Sequence, residues 1–492
     1  MNVLLVYPQF PDTFWSFKHA LDFVGKRASA PPLGLLTVAA MLPKEWKLKL
    51  VDMNVTRLKD RDLDWCDMVF ISAMTVQRSS VNKVITLAKA HKRIVVAGGP
   101  LFTGEWEAFD EVDHFVLNEA ELTLAPFLRD LEAGNAQHVY ASDDYADIQQ
   151  TPIPMWSLLN LSHYNSMNLQ FSRGCPFNCE FCNVTALLGH RPRTKTATQL
   201  VAELDSIYAL GWRRTIFIVD DNFIGNKRVL KEEIMPALID WRKDKEGCLF
   251  LTEASINLAD DEELMDMMAK AGFTQVFVGI ETPDEAALTE ANKKQNKGRD
   301  LVDAVWRLQK KGLQVMGGFI VGFDSDNETI FQRMIDFIQR SGIITAMVGL
   351  LQAPVGTRLY HRMGEAGRLI DTHSGDNVDG SSNIKPVMDE GILKRGYKHI
   401  LQEVYSPRLF YQRVRTFLEG YKPLSHTVYM GWEEIRAFLH SIYKLGIIGE
   451  ERREYWRLFF WTLGRFPKKL PLAITMAIYG YHFRRVSLSH VV

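Results

Sequence analysis

Short apolar runs alternate with helix-like stretches in two successive series along this chain of 492 residues. In the first series, five runs that resemble buried strands begin with NVLLVYP and end with HFVLNEAE, and stretches such as 33–42 and 79–90 separate them. Strands that are joined through helices lie parallel in one open sheet, with right-handed crossovers and helices on both faces. Residues 1–148 are therefore predicted to fold as an open parallel, Rossmann-like α/β domain, although they contain no G-x-G-x-x-G fingerprint.

The alternation restarts at Asn168 and gives six strand–helix units up to about residue 360. The six runs are NLQFS, TIFIVDDN, LFLTEASIN, QVFVGIET, QVMGGFIVGF and ITAMVGLLQAP. The pattern has no seventh or eighth unit, so residues 166–360 are predicted to form a partial (β/α)6 barrel. In barrels of this kind the chemistry gathers at the C-terminal ends of the strands, and polar residues follow several of these runs.

Two further segments lack this alternation. Residues 149–165 contain two prolines and no helical period, as expected of a linker between domains. After about residue 360 a polar, glycine-rich stretch is predicted to be a long loop, and the chain from Asp389 onward is helical and rich in aromatic residues. Residues 361–492 are therefore predicted to form a C-terminal, mainly α-helical domain.

The composition excludes several classes of protein. There are 58 Lys and Arg against 59 Asp and Glu, so no general electrostatic field attracts nucleic acid. Five cysteines are too few for a disulfide-built secreted fold, and two of them, Cys66 and Cys248, are interpreted as small buried hydrophobic residues. The N-terminus shows no export signal, and no run of about 18 apolar residues appears. We expect a cytoplasmic enzyme without a nucleic-acid partner.

The other three cysteines lie within eight residues, in FSRGCPFNCEFCN. Cys175, Cys179 and Cys182 have the spacing C-x3-C-x2-C, and three thiolates can hold a [4Fe–4S] cluster while one iron stays open to a substrate. A zinc site with His190 as fourth ligand is the alternative. Burial of the three cysteines as core residues is disfavoured, because glycine, proline and asparagine flank them.

With Phe181 just before the last cysteine, this motif resembles the cluster loop of the radical S-adenosylmethionine (radical SAM) superfamily. The following strand–helix pattern, to about Pro354, is similar to that family's partial barrel. The resemblance implies that the open iron binds SAM and that one electron cleaves SAM to a 5′-deoxyadenosyl radical. It assigns no catalytic side chain, since the protein's part is to orient the cofactor and keep the pocket dry.

The same resemblance implies SAM contacts at matching positions. Asp220, Asp221 and Asn222 occupy the place of the family motif, usually G-G-E, that holds the methionine ammonium, and a carboxylate suits that group. The other implied SAM contacts are Phe181 in the cysteine loop, Glu253 and Glu281 near the ribose, Gly317 and Gly318 beside the adenine, and the backbone at Gln352 along the adenine edge. Solvated strand ends are the alternative for the two glutamates, and close strand–helix packing is the alternative for the two glycines.

The domain in front of the barrel resembles the cobalamin-binding domain of one branch of this superfamily. PPLGLLTVAAML, VDMN, ISAMTVQ, AGGP and NEAE follow the branch's usual order, although its G-E-G-E is replaced by NEAE. No D-x-H-x-x-G is present, so no histidine is expected below the cobalt. The implied cobalamin contacts are Ser72, Met74, Thr75, Gly98, Gly99, Pro100, Asn118 and Glu119. A domain of this shape that has lost its cofactor is the alternative.

The C-terminal region is similar to that of a subset of this branch that includes hopanoid C-2 methylases. Between Arg452 and Arg485, eight Lys and Arg face one acidic residue, and aromatic residues lie among them. Such a segment, with its apolar stretch 470–482, can lie in a membrane interface. The alternative is a helical subdomain that closes the barrel's mouth.

These resemblances imply a cobalamin-dependent radical enzyme, with a [4Fe–4S] cluster, SAM and cobalamin as cofactors and an electron donor of the flavodoxin or ferredoxin type. Methyl transfer to an unactivated carbon of an apolar, lipid-like substrate is the leading interpretation, with contact at the inner face of the membrane. A cyclase, coupling enzyme or rearrangement catalyst on the same scaffold is the alternative enzyme. A cobalamin or iron–sulfur sensor is disfavoured, because no output surface is recognisable.

Overall fold

The first sheet has six parallel strands in the order β2-β1-β3-β4-β5-β6 in the computed structural model, which describes residues 1–424 and 431–491. The strands are β1 (Asn2–Tyr7), β2 (Lys47–Asp52), β3 (Met68–Ser72), β4 (Ile94–Gly98), β5 (His114–Val116) and β6 (Val139–Tyr140). The helices are α1 (Lys18–Val24), α2 (Leu33–Met41), α3 (Asp60–Trp65), α4 (Arg78–Ala90), α5 (Pro100–Glu105) and α6 (Ala120–Glu132). The predicted open parallel sheet is confirmed, and β6, with two residues, is too short to give a sequence pattern.

Both faces of this sheet are buried, which explains why its strands are continuous apolar runs. In β1, Leu4 and Val6 pack into one core cluster, whereas Val3 and Leu5 pack into another on the opposite face. The strand order reverses between β1 and β3, and a crevice at the C-terminal ends of the strands is expected at such a point. A ligand of this domain would therefore lie near the end of β3.

The second sheet has six parallel strands in the order β14-β13-β12-β11-β10-β7, and β8 and β9 form a separate antiparallel pair. The strands are β7 (Met167–Leu169), β8 (Ser172–Arg173), β9 (Arg193–Thr194), β10 (Ile216–Ile218), β11 (Phe250–Glu253), β12 (Phe273–Glu281), β13 (Gln314–Val321) and β14 (Ala346–Leu350). The helices are α7 (Val184–Leu188), α8 (Ala197–Ala209), α9 (Lys227–Val229), α10 (Met235–Arg242), α11 (Glu262–Ala271), α12 (Glu285–Glu290), α13 (Leu301–Lys310), α14 (Thr329–Ser341) and α15 (Arg358–Glu365). The six predicted strands of the partial barrel are confirmed, and the β8–β9 pair is an addition.

The inner face of this barrel differs from its outer face. Outward-pointing residues such as Ile216, Ile218 and Val276 are fully buried under the helices. Residues on the inner face, such as Phe217 and Phe277, keep part of their surface. The barrel therefore encloses an inner space, called the lumen below, which its own side chains do not fill.

The outermost strands, β14 and β7, do not pair with each other, so the barrel has an open seam. A segment of the first domain, residues 10–31, lies along this seam. Trp15 Nε1 donates a hydrogen bond to Met347 Sδ in β14 (2.9 Å), and Asn168 Nδ2 in β7 donates to the carbonyl of Pro31 (3.0 Å). The first domain therefore supplies part of the barrel wall.

The C-terminal helices are α16 (Glu390–Val404), α17 (Pro407–Gly420), α18 (Trp432–Ser441), α19 (Arg452–Arg465) and α20 (Leu470–Val491), and α18 continues through a π-helical stretch, Ile442–Ile447. Helix α20 lies against the N-terminal end of the barrel, where Gln314 Nε2 donates to Met476 Sδ (3.6 Å). The apolar stretch 470–482 is therefore largely core, and a helical subdomain does close the barrel, although at the end opposite to the mouth. No helix in the described residues is long and apolar enough to cross a membrane.

The same seam segment joins the two ends of the chain. Phe14 stacks on Phe483 of α20, with ring centroids 4.2 Å apart and planes inclined by 10°. His482 Nε2 donates a hydrogen bond to the carbonyl of Phe14 (2.9 Å), and Phe17 packs on the His482 ring. The three regions of the chain are thus packed together around residues 10–31.

Candidate active site

The three-cysteine loop lies in the connection between β8 and β9. It is at the mouth of the barrel, which is the end formed by the C-termini of the barrel strands. Gly174 begins this loop with φ at +91°, and a Cβ atom at this position would lie 2.8 Å from the carbonyl oxygen of Arg191. The backbone N–H of Cys175 donates to the carbonyl of Gly189 (3.2 Å), which closes the loop on itself. The glycine is therefore required both by its backbone conformation and by the close approach of the returning chain.

Polar side chains from two other units approach the thiols. Asn222 Nδ2 lies 3.8 Å from Cys175 Sγ, and Gln295 Nε2 lies 3.6 Å from Cys179 Sγ. Burial raises the pKa of Cys182 to about 12, and the positive charge of Lys293 opposes this shift. Amide donors and a cation around three thiols fit a centre at which the sulfurs are negatively charged thiolates.

The zinc alternative is less well matched. His190 is exposed, and among the described residues no three His, Cys, Asp or Glu side chains converge on a site for a single ion. A [4Fe–4S] cluster binds each thiolate to a different iron and does not need such convergence. The donor set of Cys175, Cys179 and Cys182 therefore fits a cluster better than a single zinc ion.

The three residues that follow β10 have different surroundings. Asp220 is buried and accepts hydrogen bonds from the backbone N–H groups of Phe171 (2.8 Å) and Ser172 (2.7 Å). Asn222 accepts from the backbone N–H of Ser255 (3.1 Å) and approaches Cys175 with its amide nitrogen. Asp220 and Asn222 thus hold the chain around the cysteine loop, and both have protein partners.

Asp221 is the member of this trio that points to the mouth. Its side chain reaches solvent at one side. The protein packed around it removes most of the water that would solvate the charge, and this desolvation raises the pKa of Asp221 to about 6. Nearby, burial and the charges of Asp221 and Asp220 raise the pKa of Glu253 to about 8. The Glu253 carboxylate forms no hydrogen bond with another described side chain or backbone group. Two close carboxylates without a cation make a site that favours a positively charged group.

Glu281, at the end of β12, is paired rather than free. Its backbone has φ at +65°, and its carboxylate forms an ion pair with Lys293 Nζ (2.7 Å). Burial acts to lower the pKa of Lys293, but the Glu281 carboxylate and the thiols of Cys179 and Cys182 raise it well above its usual value. Lys293 therefore remains charged beside the cysteine loop, and Glu281 is not an unpaired acceptor for a ribose.

Phe181 lies on the side of the cysteine loop that faces α15. The residue packs with the cluster of apolar residues around Phe323, and their rings are 6.5 Å apart in an edge-on arrangement. Lys293 Nζ lies 5.9 Å from the centre of the Phe181 ring, within the range of a cation–π contact. The ring therefore supports the loop and the cation beside it.

The glycines of β13 point to opposite faces. A Cβ atom on Gly318 would lie 2.8 Å from the ring of Phe277 in the lumen, whereas one on Gly317 would meet Ile343 on the outer face. Gly318 thus leaves space on the inner face, and Gly317 leaves room for the ring of Phe319 on the same strand and for Ile343 in the connection to β14. At Gln352, the side-chain amide donates to the carbonyls of Asp376 (3.0 Å) and Ser381 (3.2 Å) in the loop 366–388.

At the C-terminal ends of the strands of the first sheet, the implied cobalamin contacts form a small surface. Met74 is half-exposed, and Ser72 and Thr75 lie next to it. Gly98 and Gly99 allow close approach of neighbouring strands, because a Cβ atom would lie 2.5 Å from the carbonyl of Val116 and 2.7 Å from Ser72 Oγ, respectively. Pro100 begins α5, and the backbone N–H of Asn118 (φ +60°) donates to Thr103 Oγ1. An exposed apolar side chain beside small residues at this edge suits the flat corrin ring.

Glu119 has a different environment from the other implied cobalamin contacts. Its carboxylate is buried and pairs with Arg173 (3.0 Å) and Arg193 (2.8 Å), the residues of β8 and β9 that frame the cysteine loop. Glu121 pairs with Arg173 as well (2.9 Å), and Arg193 also donates to the carbonyl of Ala146 (2.6 Å). This Glu119 network joins the first domain to the cysteine loop, so the Glu119 side chain is directed away from a cobalamin surface.

Several residues of the site were not predicted from the sequence. They are Lys293 and Gln295 beside the thiols, and Arg173 and Arg193 of the Glu119 network. The arginines flank the cysteine motif, and the glutamates of NEAE lie about 50 residues earlier, as the separation of 54 positions between Glu119 and Arg173 shows. Opposite charges in both segments were the available signal, but the sequence alone did not indicate that they meet.

Comparison with known proteins identifies three families along the chain. The family described as B12 binding domain matches residues 27–128, the Radical SAM superfamily matches residues 169–338, and a domain of unknown function, DUF4070, matches residues 357–491. An uncharacterized methyltransferase of Synechocystis sp. is 40% identical over 98% of this chain and 91% of that protein. The hopanoid C-2 methylase of Rhodopseudomonas palustris is 33% identical over 83% of this chain and 81% of its own length.

Solved structures show the same fold at lower identity. The cobalamin-dependent SAM radical enzyme OxsB, with aqua-cobalamin and SAM bound, has a TM-score of 0.63 at 16% identity and covers 100% of this chain and 84% of its own. The methyltransferase TsrM from Kitasatospora setae, with cobalamin and a [4Fe–4S] cluster bound, has a TM-score of 0.60 at 15% identity and covers 93% of this chain and 98% of its own. The family matches imply a [4Fe–4S] cluster, SAM and cobalamin as cofactors. The chain belongs to the cobalamin-dependent radical SAM methyltransferase family.

Proposed function

We propose that this enzyme methylates an unactivated carbon of an apolar, polycyclic substrate related to a hopanoid. The cofactors supply a radical that abstracts hydrogen and a methyl group that replaces it. The chain's own residues hold these cofactors, orient the substrate and exclude water. The observation that carries the proposal is the apolar lining of the lumen beside the cysteine loop.

This lining comes from successive strands of the barrel. Phe217 pairs in register with Leu251, and Glu253 pairs with Phe277, so their side chains share the inner face. The lining is completed by Met316 and Met347 and by Trp15, whose ring stands edge-on to Phe277 at 5.4 Å. An aromatic and thioether lining binds apolar surface, and each buried CH₂ of a substrate contributes about 0.8 kcal/mol.

For the SAM site, we propose that Asp221 binds the methionine ammonium and that the nearby carboxyl group of Glu253 adds to the attraction. Asp221 is the acidic side chain after β10 that reaches the mouth, while Asp220 and Asn222 already have protein partners. A cation at this position removes the repulsion between the two carboxylates. Gly318 leaves space for the adenine, and the backbone beside Gln352 faces its edge.

For cobalamin, we propose that the corrin lies on the surface formed by Ser72, Met74 and Thr75, next to the Gly98–Pro100 turn and Asn118. Gly375 of the loop 366–388 lies against Thr75 and Val76, and Asn377 of the same loop lies against Gly349 of the barrel. The loop thus spans the two sheet edges and shields the space between them from water.

For electron supply, we propose a flavodoxin- or ferredoxin-like carrier with an acidic face. Arg191 and Arg358 are exposed beside the cysteine loop, and Arg358 Nη1 lies 3.5 Å from the carbonyl of Asn178. Opposite charges on two partners speed their encounter. We also propose that the enzyme works in the cytoplasm and touches the inner face of a membrane, since an apolar substrate resides in the bilayer.

The test uses the reconstituted enzyme with SAM that carries a deuterated methyl group. Under reducing conditions, a hopanoid substrate should gain the labelled methyl group while 5′-deoxyadenosine forms in step with product. Formation of 5′-deoxyadenosine without label in the product would instead support a cyclase, coupling or rearrangement reaction. A bacteriochlorophyllide serves as the matched comparison, because relatives from Chlorobaculum tepidum methylate that class at 24% and 23% identity to this chain.

A further inference from the structure

An apolar face is exposed on the C-terminal domain, on the side that does not contact the barrel. It is called the α18–α19 face and consists of Trp432, Ile435, Leu439, Tyr443, Ile447 and Ile448 along α18 and its π-helical continuation, with Phe460 and Leu463 of α19. Trp432 is 85% exposed, and Leu439 and Phe460 are 60% and 63% exposed. Large apolar side chains that cluster in this way mark a binding surface rather than scattered exposure.

The spacing of these residues is that of an amphipathic helix. Positions 432, 435, 439, 443 and 447 recur at intervals of three or four residues and lie on one side, whereas Ala437, Ser441 and Leu445 on the other side are buried. Across the two helices Phe438 stacks on Phe459 (6.2 Å), and Trp456 Nε1 donates a hydrogen bond to the carbonyl of Gly446 (2.9 Å). The two helices therefore present one continuous surface.

The charges around this face are mainly positive. Its exposed cations are Arg452, Arg453, Arg457 and Lys468, whereas the guanidinium of Arg436 lies against Gly25 after α1. Two neighbouring acidic groups are directed elsewhere, since Glu433 pairs with Arg214 (2.6 Å) and Glu451 pairs with Arg484. Glu454 pairs with Arg457 (2.7 Å) and offsets that one cation of the face. Glu450 is the exposed exception among these acidic residues. A cationic rim around an apolar face is complementary to an anionic lipid surface.

We propose that the α18–α19 face binds the surface of an anionic phospholipid bilayer. Trp432 and Tyr443 are residue types that favour the boundary between water and lipid, and the aliphatic side chains between them can enter the acyl region. A second copy of the chain is the poorer occupant, because a symmetric dimer would place the arginines of the two copies opposite each other. The proposal names the surface for the membrane contact proposed above and does not depend on the reaction.

The experiment measures co-flotation of the full-length protein with vesicles of phosphatidylcholine alone or mixed with phosphatidylglycerol. The double variant W432S/L439S removes two exposed apolar side chains from the face. I370S/V387S is the matched control, because Ile370 and Val387 are 57% and 65% exposed on the loop 366–388. We expect the mixed vesicles to bind the wild type and the control equally, and W432S/L439S about tenfold more weakly.

Charge is tested separately with R452E/R453E and with added salt. Both should weaken binding to the mixed vesicles several-fold. At equal salt, R452E/R453E should have the melting temperature and the mass in solution of the wild type. The proposal is overturned if the wild type ignores anionic vesicles at low salt, or if W432S/L439S binds like the wild type. A dimer that W432S/L439S dissociates would assign the face to a second copy instead. None of these measurements involves methyl transfer. A negative result would therefore refute the membrane contact and would not bear on the proposed reaction.

Discussion

At the scale of single residues, the three thiols of the cysteine loop are not interchangeable with the other two cysteines. We propose these three thiolates as the only protein ligands of the cluster, so Cys175→Ala, Cys179→Ala and Cys182→Ala should each abolish cluster assembly. Iron and sulfide content after reconstitution and the electron paramagnetic resonance spectrum of the reduced protein measure this loss. The secondary structure should remain, since the loop lies outside the sheets.

The controls for these variants are the two remaining cysteines. Cys66 and Cys248 are 1% exposed and lie away from the loop, with Cys66 Sγ near the carbonyl of Leu63 (3.4 Å). Cys66→Ala and Cys248→Ala should retain the full iron content. Retention of iron and SAM cleavage by any variant of the loop cysteines would refute their assignment as ligands.

A second prediction concerns Glu253, whose pKa is raised to about 8, chiefly by burial. A carboxyl group that binds its proton more tightly in the folded state stabilises the fold most at low pH, and this contribution is lost as pH rises from about 5 to about 8. Glu253→Gln keeps a neutral side chain at every pH. The variant should therefore gain stability relative to the wild type as pH rises, by an amount on the order of 2 kcal/mol.

Thermal melting of the cofactor-free protein at about pH 5.5 and about pH 8 measures this difference. Glu232→Gln is the control, since Glu232 is an exposed carboxylate in the connection between β10 and β11 of the same barrel. An equal shift of melting temperature at both pH values would show that Glu253 is ionised in the folded protein throughout.

Residues of the site differed in how far the sequence could predict them. The three cysteines could be singled out because they lie within one short loop, so their spacing alone carries the information, and their role as ligands stays a prediction. The predicted ammonium site narrowed to Asp221 only once the partners of Asp220 and Asn222 were known. Lys293 could not be identified, because its role depends on a buried contact with Glu281 that has no fixed spacing.

At the scale of elements, the β8–β9 hairpin depends on the Glu119 network. Glu119→Gln removes one charge from a buried set in which Arg173 and Arg193 are held, and breaking such a pair costs about 3 kcal/mol. We expect a lower melting temperature and faster amide hydrogen exchange in residues 172–194. Because this hairpin frames the cysteine loop, the cluster should also be lost more quickly on exposure to a chelator.

Glu390→Gln is the matched control for this change. Glu390 forms an ion pair with Lys394 in which both side chains are 59% exposed, and exposed pairs contribute little. If Glu119→Gln melts like Glu390→Gln and exchanges like the wild type, the network does not support the hairpin.

Elements with a strong local signal were predicted well, and those defined by distant contacts were not. The six barrel strands are apolar runs between helices, so periodicity located them. Helix α20 combines an apolar stretch with flanking cations, and the same pattern fits a membrane interface or a buried helix. The contact between Met476 of this helix and Gln314, 162 positions earlier in the chain, shows that the helix is buried. A contact over such a separation cannot be recognised from the local sequence.

At the scale of the whole molecule, the predicted barrel 166–360 should not fold alone. Its seam is filled by Trp15 of the first domain, and its N-terminal end is covered by Met476 of α20. A fragment with these boundaries exposes apolar surface that the full chain buries. We expect it to be insoluble or to melt without cooperativity, in contrast to the full chain purified in the same way. A soluble fragment with a sharp transition would show that the barrel is an independent domain.

The contact between Phe14 and α20 has a consequence for biosynthesis. His482 and the carbonyl group that it binds are 468 positions apart, so the first partner leaves the ribosome long before the second exists. At a synthesis rate of about 5–20 residues per second, the interval is roughly 20–100 s. Throughout this time Phe14 and Phe17 lack their partners in α20, Phe483 and His482, and the nascent chain leaves these two aromatic rings without that cover. The order of translation thus makes an aromatic segment near the start of the chain one of the last to be covered.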